Sequence, residues 1–187
     1  LDCSVCAVGQ YSAAGSTACT VACPSGFSAG AVNTCAACSP GTVSNGGSGC
    51  TACAVGRYDD GLGVCQACEA GKYNPSTNVP DECANCPVGK YSAAAAAECL
   101  SCAPGSYAET AGLSICTDCD AGRIATDFGR STACLVNCAA GQYAAAGSYE
   151  CTVCVAGSYS TVPQSAECTK CAAGTASSTT GETSAAA

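Results

Sequence analysis

Eleven cysteine pairs recur along this 187-residue chain at a nearly constant step. Their first members are Cys3, Cys19, Cys35, Cys50, Cys65, Cys83, Cys99, Cys116, Cys134, Cys151 and Cys168, and neighbouring first members stand 15 to 18 residues apart. Nine pairs are spaced C-x2-C; Cys19/Cys23 and Cys134/Cys138 are C-x3-C. A glycine stands three residues after the second cysteine of every pair: Gly9, Gly26, Gly41, Gly56, Gly71, Gly89, Gly105, Gly122, Gly141, Gly157 and Gly174. Two residues beyond that glycine, seven repeats carry a tyrosine: Tyr11, Tyr58, Tyr73, Tyr91, Tyr107, Tyr143 and Tyr159. One small unit, C-x2-C-x2-G-x-Y plus a linker rich in Ser, Thr, Ala and Gly, is thus copied about eleven times over residues 1–187. An array of alike units builds length or presents a surface; it rarely encloses a catalytic cleft.

Composition says what must hold such units together. The 22 cysteines are about 12% of the chain, above the level that marks a disulfide scaffold. Leu, Ile, Val and Phe also total only about 12%, a level at which a chain normally stays disordered. Alanine inflates the apolar fraction but buries little area, so no large core forms, and covalent cross-links take over its task. Each bridge closing a loop of about 15 residues contributes about 3 kcal/mol through chain entropy. The net charge of −8, with only six basic residues, excludes nucleic acid, whose binding needs clustered Lys and Arg. The longest small-apolar run, Ala93 to Ala97, is too short to span a membrane. The last pair is followed by sixteen residues without the next cysteine, so the chain is expected to be a segment of a longer array.

Each element of the unit has a physical reading. Glycine tolerates positive φ, so the recurrent glycine is expected in a tight turn just after the cross-link. The following Gly-x-Tyr-Ser reads as a short strand, with the tyrosine ring lying on a disulfide and its hydroxyl wet. The linker then turns at Asn45-Gly46, Asp60-Gly61 or Ala111-Gly112. Alternation is too brief for long strands, and no 3.6-residue period survives the glycines. The expected fold is therefore small disulfide-rich repeats: short β-hairpins and turns stacked into an elongated rod, with almost no helix. Ser28, Val43, Ile124 and Ala176 replace the tyrosine in the other four repeats and read as local irregularities.

The cysteines admit two simple pairings. In the first, the second cysteine of one pair joins the first of the next: Cys6–Cys19, Cys23–Cys35, Cys38–Cys50, Cys53–Cys65, Cys68–Cys83, Cys86–Cys99, Cys102–Cys116, Cys119–Cys134, Cys138–Cys151 and Cys154–Cys168. In the second, adjacent pairs interleave, as Cys3–Cys19 with Cys6–Cys23. The first is the working expectation; it leaves Cys3 and Cys171 for flanking units, which fits a segment of a longer array. Four thiolates per zinc is the alternative use of serial C-x2-C pairs. The acidic, histidine-free, Ser/Ala-rich setting speaks against it, and no metal or other cofactor is expected.

Other features yield little chemistry. Asp59-Asp60 reads as an exposed turn, since no spaced carboxylate set surrounds it. Asn74 is followed by Pro75, so no usable N-glycosylation sequon exists, while the many Ser and Thr invite O-glycans. The tyrosines read as packing residues. Without histidine no nucleophile–base pair assembles, and nothing matches a phosphate loop, so the chain is not expected to be an enzyme.

The segments Cys6-Ala-Val-Gly9-Gln-Tyr11, Cys86-Pro-Val-Gly89-Lys-Tyr91, Cys102-Ala-Pro-Gly105-Ser-Tyr107 and Cys154-Val-Ala-Gly157-Ser-Tyr159 resemble the ephrin-receptor-like cysteine-rich repeats, and more distantly the cysteine-rich modules of tumour necrosis factor receptors. The resemblance covers Cys3 to Cys171. It implies a secreted or cell-surface, disulfide-laddered, β-rich array with no catalytic residues. The function expected is that of an extracellular structural protein, a spacer or filament segment that assembles with itself or with other surface proteins. The alternative is a receptor or surface-antigen ectodomain that binds a protein ligand; a metal-thiolate protein is the third reading.

Overall fold

The computed structural model describes residues 6, 10, 12, 15–19, 23–29, 34–44, 49–77 and 82–185. Cys3, Gly9, Tyr11 and the Asn45-Gly46 turn lie outside the described residues. Among the described residues there is no helix, and every strand is two or three residues long. Consecutive strands pair antiparallel into two-stranded hairpins. In chain order these are β1 (Phe27–Ala29) with β2 (Cys35–Ala37), β3 (Thr42–Val43) with β4 (Thr51–Ala52), and β5 (Arg57–Asp59) with β6 (Cys65–Ala67). Then come β7 (Lys72–Tyr73) with β8 (Ala84–Asn85), β9 (Lys90–Tyr91) with β10 (Leu100–Ser101), and β11 (Ser106–Tyr107) with β12 (Thr117–Asp118). The last three are β13 (Arg123–Ile124) with β14 (Val136–Asn137), β15 (Gln142–Tyr143) with β16 (Thr152–Val153), and β17 (Ser158–Tyr159) with β18 (Thr169–Lys170). The first strand of each is the segment after the recurrent glycine; the second lies in the next cysteine pair.

A hairpin this short cannot stand alone in water. Here each is closed by a disulfide. The bridges join the second cysteine of one pair to the first of the next, from Cys6–Cys19 to Cys154–Cys168, ten in all among the described residues. They span 12 to 15 residues, with Cα atoms 5.5 to 5.8 Å apart. Cys171 is unbridged. A bridged sulfur offers no thiolate to a metal, so the metal-thiolate reading loses its ligands at these twenty positions.

The chain forms two compact bodies. The first comprises Leu1–Asn85 with Ala93–Glu98; the second comprises Cys86–Ser92 with Cys99–Ala187. In both, the interior is made of sulfur and small side chains. The largest fully buried side chains in the first body are Cys53 and Cys68, and in the second Cys86, Cys102, Cys119, Cys138 and Cys154. All seven are second cysteines of their pairs. Large aliphatic and aromatic side chains lie outside instead: Leu62 is 77% exposed, and Ile115 and Phe128 are each 73% exposed. The fold thus inverts the usual division of labour, with cystine rather than leucine at the centre.

The C-x3-C pair in the second body shows how the array absorbs an extra residue. Elsewhere the residue after the first cysteine faces the tyrosine position, as Thr117 faces Tyr107. In the longer pair Val136 faces Ile124 and Asn137 faces Arg123, so the register toward Cys138 is kept. The surplus residue is Leu135, extruded before the strand and 69% exposed. Deletion of Leu135 should therefore leave the Cys119–Cys134 bridge and the β13–β14 register intact. The expected stability change, within about 0.5 kcal/mol by denaturant titration, is that of a surface substitution.

Candidate functional site: the joint between repeats

Each described repeat begins with a turn fixed by its glycine. The residue after the glycine donates its N–H to the carbonyl two residues before it, as Arg57 to Ala54 at 3.2 Å and Ser106 to Ala103 at 3.1 Å. The glycine has positive φ, +73° at Gly56 and +86° at Gly105, whereas the residue before it does not. Positive φ only at the third position is the signature of a type II turn, where glycine is the favoured residue. The next second cysteine then donates to the glycine carbonyl, as Cys68 to Gly56 at 2.9 Å and Cys119 to Gly105 at 2.8 Å. One glycine thereby anchors both strands of its hairpin beside the bridge.

The same glycine faces outward to its neighbours. Its N–H donates to a carbonyl of the following repeat: Gly56 to Asn74, Gly105 to Ala125 and Gly122 to Ala144, each at 2.8 Å. The residue after the tyrosine donates to the linker of the following repeat, as Asn74 to Ala96 at 3.0 Å and Ala108 to Arg130 at 2.9 Å. One linker residue donates back to a second cysteine: Ala95 to Cys68, Gly112 to Cys86, Gly129 to Cys102 and Gly181 to Cys154, each at 2.8 Å. That linker residue also covers a turn glycine two repeats earlier. A Cβ on Gly89 would overlap the carbonyl oxygen of Gly129, and one on Gly122 would overlap that of Gln164. Each body is therefore knitted by backbone contacts from a repeat to the next and to the next but one.

The recurrent glycine thus meets two demands, of which its sequence context reveals only the turn. At Gly56, Gly89, Gly105, Gly122 and Gly141 the other is close approach by backbone more than 35 residues away. A further position escapes the motif altogether. The residue after the tyrosine is buried to 3% exposure or less at Ser44, Asn74, Ser92, Ala108, Ala125, Ala144 and Ser160. It lies in the joint and must be small. Its signal is present in the sequence, because this column holds only Ser, Ala, Asn or Asp in all eleven repeats, from Ser12 to Ser177.

The described tyrosines of the repeat motif, Tyr58, Tyr73, Tyr91, Tyr107, Tyr143 and Tyr159, are half-buried and lie in the first strands of their hairpins. Tyr107 packs against Cys119, Ala125 and Cys134. Ile124, at the tyrosine position of its repeat, is buried with Cys138 and Ala144 and packs against Cys151. Ser28 and Val43 occupy strands β1 and β3. Ala176 lies in no strand.

In the fourth repeat a side chain replaces a backbone carbonyl in the joint. Gly41 donates its N–H to the Asp59 carboxylate at 3.3 Å. Asp60 is half-buried and closes the adjoining turn, accepting from the Gln66 amide and from the N–H groups of Leu62 and Val64. The Gln66 hydrogen bond first, and then those of the backbone, hold its carboxyl below the ordinary aspartate value. Asp59 and Asp60 thus serve as joint and turn acceptors.

Residues 89–134 and 141–187 match the family described as tyrosine-protein kinase ephrin type A/B receptor-like. No curated protein matches the chain. Those two stretches are ephrin-receptor-like cysteine-rich repeats, and the chain is a cysteine-rich, disulfide-bonded repeat array. The match and the serial bridges together suggest an extracellular or cell-surface module. No helix among the described residues is long and apolar enough to cross a membrane.

Two substitutions test the joint. Gly157 has positive φ of +79° but nothing near its missing Cβ, whereas Gly122 has the same φ with backbone overhead. Gly157→Ala should cost about 1–2 kcal/mol for the left-handed conformation. Gly122→Ala should cost about 1–3 kcal/mol more for overpacking; equal losses in denaturant titration would refute the covering contact. Conversely, Gln164 holds φ of +63° at the linker position that Gly112, Gly129, Gly147 and Gly181 fill elsewhere. Gln164→Gly should raise the unfolding free energy by about 1 kcal/mol, since glycine relieves that strain.

Proposed function

We propose that the chain is a non-catalytic extracellular spacer, a disulfide-laddered rod that holds apart whatever is attached at its two sides. The observation that carries this reading is the sameness of the joint. In each body one set of backbone hydrogen bonds recurs from repeat to repeat, and its donors and acceptors are consumed in holding neighbours. Backbone bonding of this kind demands little of the exposed side chains, which suits a spacer and leaves its Ser- and Thr-rich linkers open to O-glycans. Lateral or end-to-end association with other copies or surface proteins extends the same reading to filaments. A ligand-binding ectodomain would gather its irregular repeats into one stretch, but Ser28, Val43, Ile124 and Ala176 are scattered.

Solution scattering tests the reading. At about 10 Å per repeat, the thickness of a packed β layer, eleven repeats reach about 110 Å. A globule of this length has a radius of gyration of about 16 Å. The oxidised protein should give about twice that radius. A value near the globular one would sink the spacer.

A further inference from the structure

The bridge pattern fixes how the chain carries tension. Force passing along the second body enters a repeat at Cys102 and crosses the bridge to Cys116. It runs through Thr117 and Asp118 to Cys119, then crosses the next bridge to Cys134. The 11 to 14 residues between bridged cysteines hang outside this path. Those shielded segments contain the turn, the first strand and the linker, and so the groups that make the joint. Two intervening residues plus a bridge allow about 16 Å per repeat at full stretch.

The two ends of a bridge also differ in burial. Cys53, Cys86, Cys102 and Cys154 are fully buried. Their partners Cys65, Cys99, Cys116 and Cys168 are half-buried. The extremes differ further. Cys38–Cys50 has one half-buried and one exposed cysteine. In Cys119–Cys134 the two cysteines are 0% and 2% exposed.

We infer that this array is a load-bearing tether whose extension is capped by its bridges and whose slack is released by thiols in an order set by burial. The inference rests on the spacer reading. A dithiol acts by thiolate attack on the sulfur of the more exposed cysteine, Cys50 in the third bridge. A mixed disulfide forms and Cys38 leaves as thiolate, taking a proton from water. The second thiol of the reagent then closes on the first, freeing Cys50 and leaving the reagent oxidised. Opening Cys38–Cys50 frees about 36 Å of chain, and opening Cys119–Cys134 about 47 Å.

Single molecules of the oxidised chain, pulled between handles attached just before Cys6 and just after Cys168, should lengthen to the cap with no step of tens of ångströms. Dithiothreitol should then add discrete lengthenings of about 36 to 47 Å, at most one per bridge. Partial reduction in solution with alkylation and peptide mapping should label Cys38 and Cys50 first and Cys119 and Cys134 last. Steps of this size without reductant would overturn the cap; labelling of Cys119 and Cys134 ahead of Cys38 and Cys50 would overturn the order. Either failure with a large radius of gyration in scattering leaves the spacer standing. A globular radius with the expected steps would remove the spacer and leave the load path as measured.

Discussion

The disulfide between neighbouring cysteine pairs is the constraint on which everything else depends. A hairpin of two or three residues per strand gains too little from hydrogen bonds and burial to offset the entropy of ordering it. A bridge across its base removes much of that entropy from the unfolded chain, by about 3 kcal/mol for a loop of 15 residues in the chain-entropy account. With the loop closed, a single turn glycine is enough to set the hairpin. The buried cystines then supply the interior that the sparse leucine, isoleucine, valine and phenylalanine do not.

Cross-linking alone would give a string of independent loops. Order between loops comes from backbone hydrogen bonds in which both partners are shielded by small residues. Ser92, Ala108 and Ala144 admit the neighbouring linker because they occupy little space. A valine at such a position would separate the donor from its acceptor, and an unmade buried hydrogen bond carries the full desolvation cost. The joint therefore selects for small side chains, some of which, such as Asn74 and Ser160, also hydrogen-bond to a backbone carbonyl of the preceding repeat. That explains an alanine- and serine-rich chain without appeal to a binding surface. Large apolar side chains such as Ile115 and Leu135 accordingly sit outside, although Ile124 is buried.

The fourth repeat shows how far the joint can vary. There a carboxylate, Asp59, takes the place of a backbone carbonyl as the acceptor for Gly41. Linker position is similarly tolerant. Ala95 and Gln164 adopt the left-handed conformation that glycine supplies elsewhere, held there by their N–H bonds to Cys68 and Cys138. The contacts over-determine the backbone, so the local residue bears the strain.

The amino-acid sequence by itself determined the repeat, the turn glycine and the short hairpins, because each is local. A cysteine pair, a glycine three residues on and a tyrosine after it are visible within ten residues. The C-x3-C spacing was legible too, but its accommodation by extruding Leu135 was not, since that depends on strand register. Sequence spacing left two pairings open for the cysteines; in the tertiary structure each second cysteine meets the first of the next pair. The tertiary structure also decided that the glycines are covered from two repeats away, and that the column after the tyrosine is the buried joint. Those contacts join residues up to 42 positions apart, such as Gly105 and Gly147 or Gly122 and Gln164. No local pattern encodes such a meeting, because it exists only once the bridged hairpins have stacked.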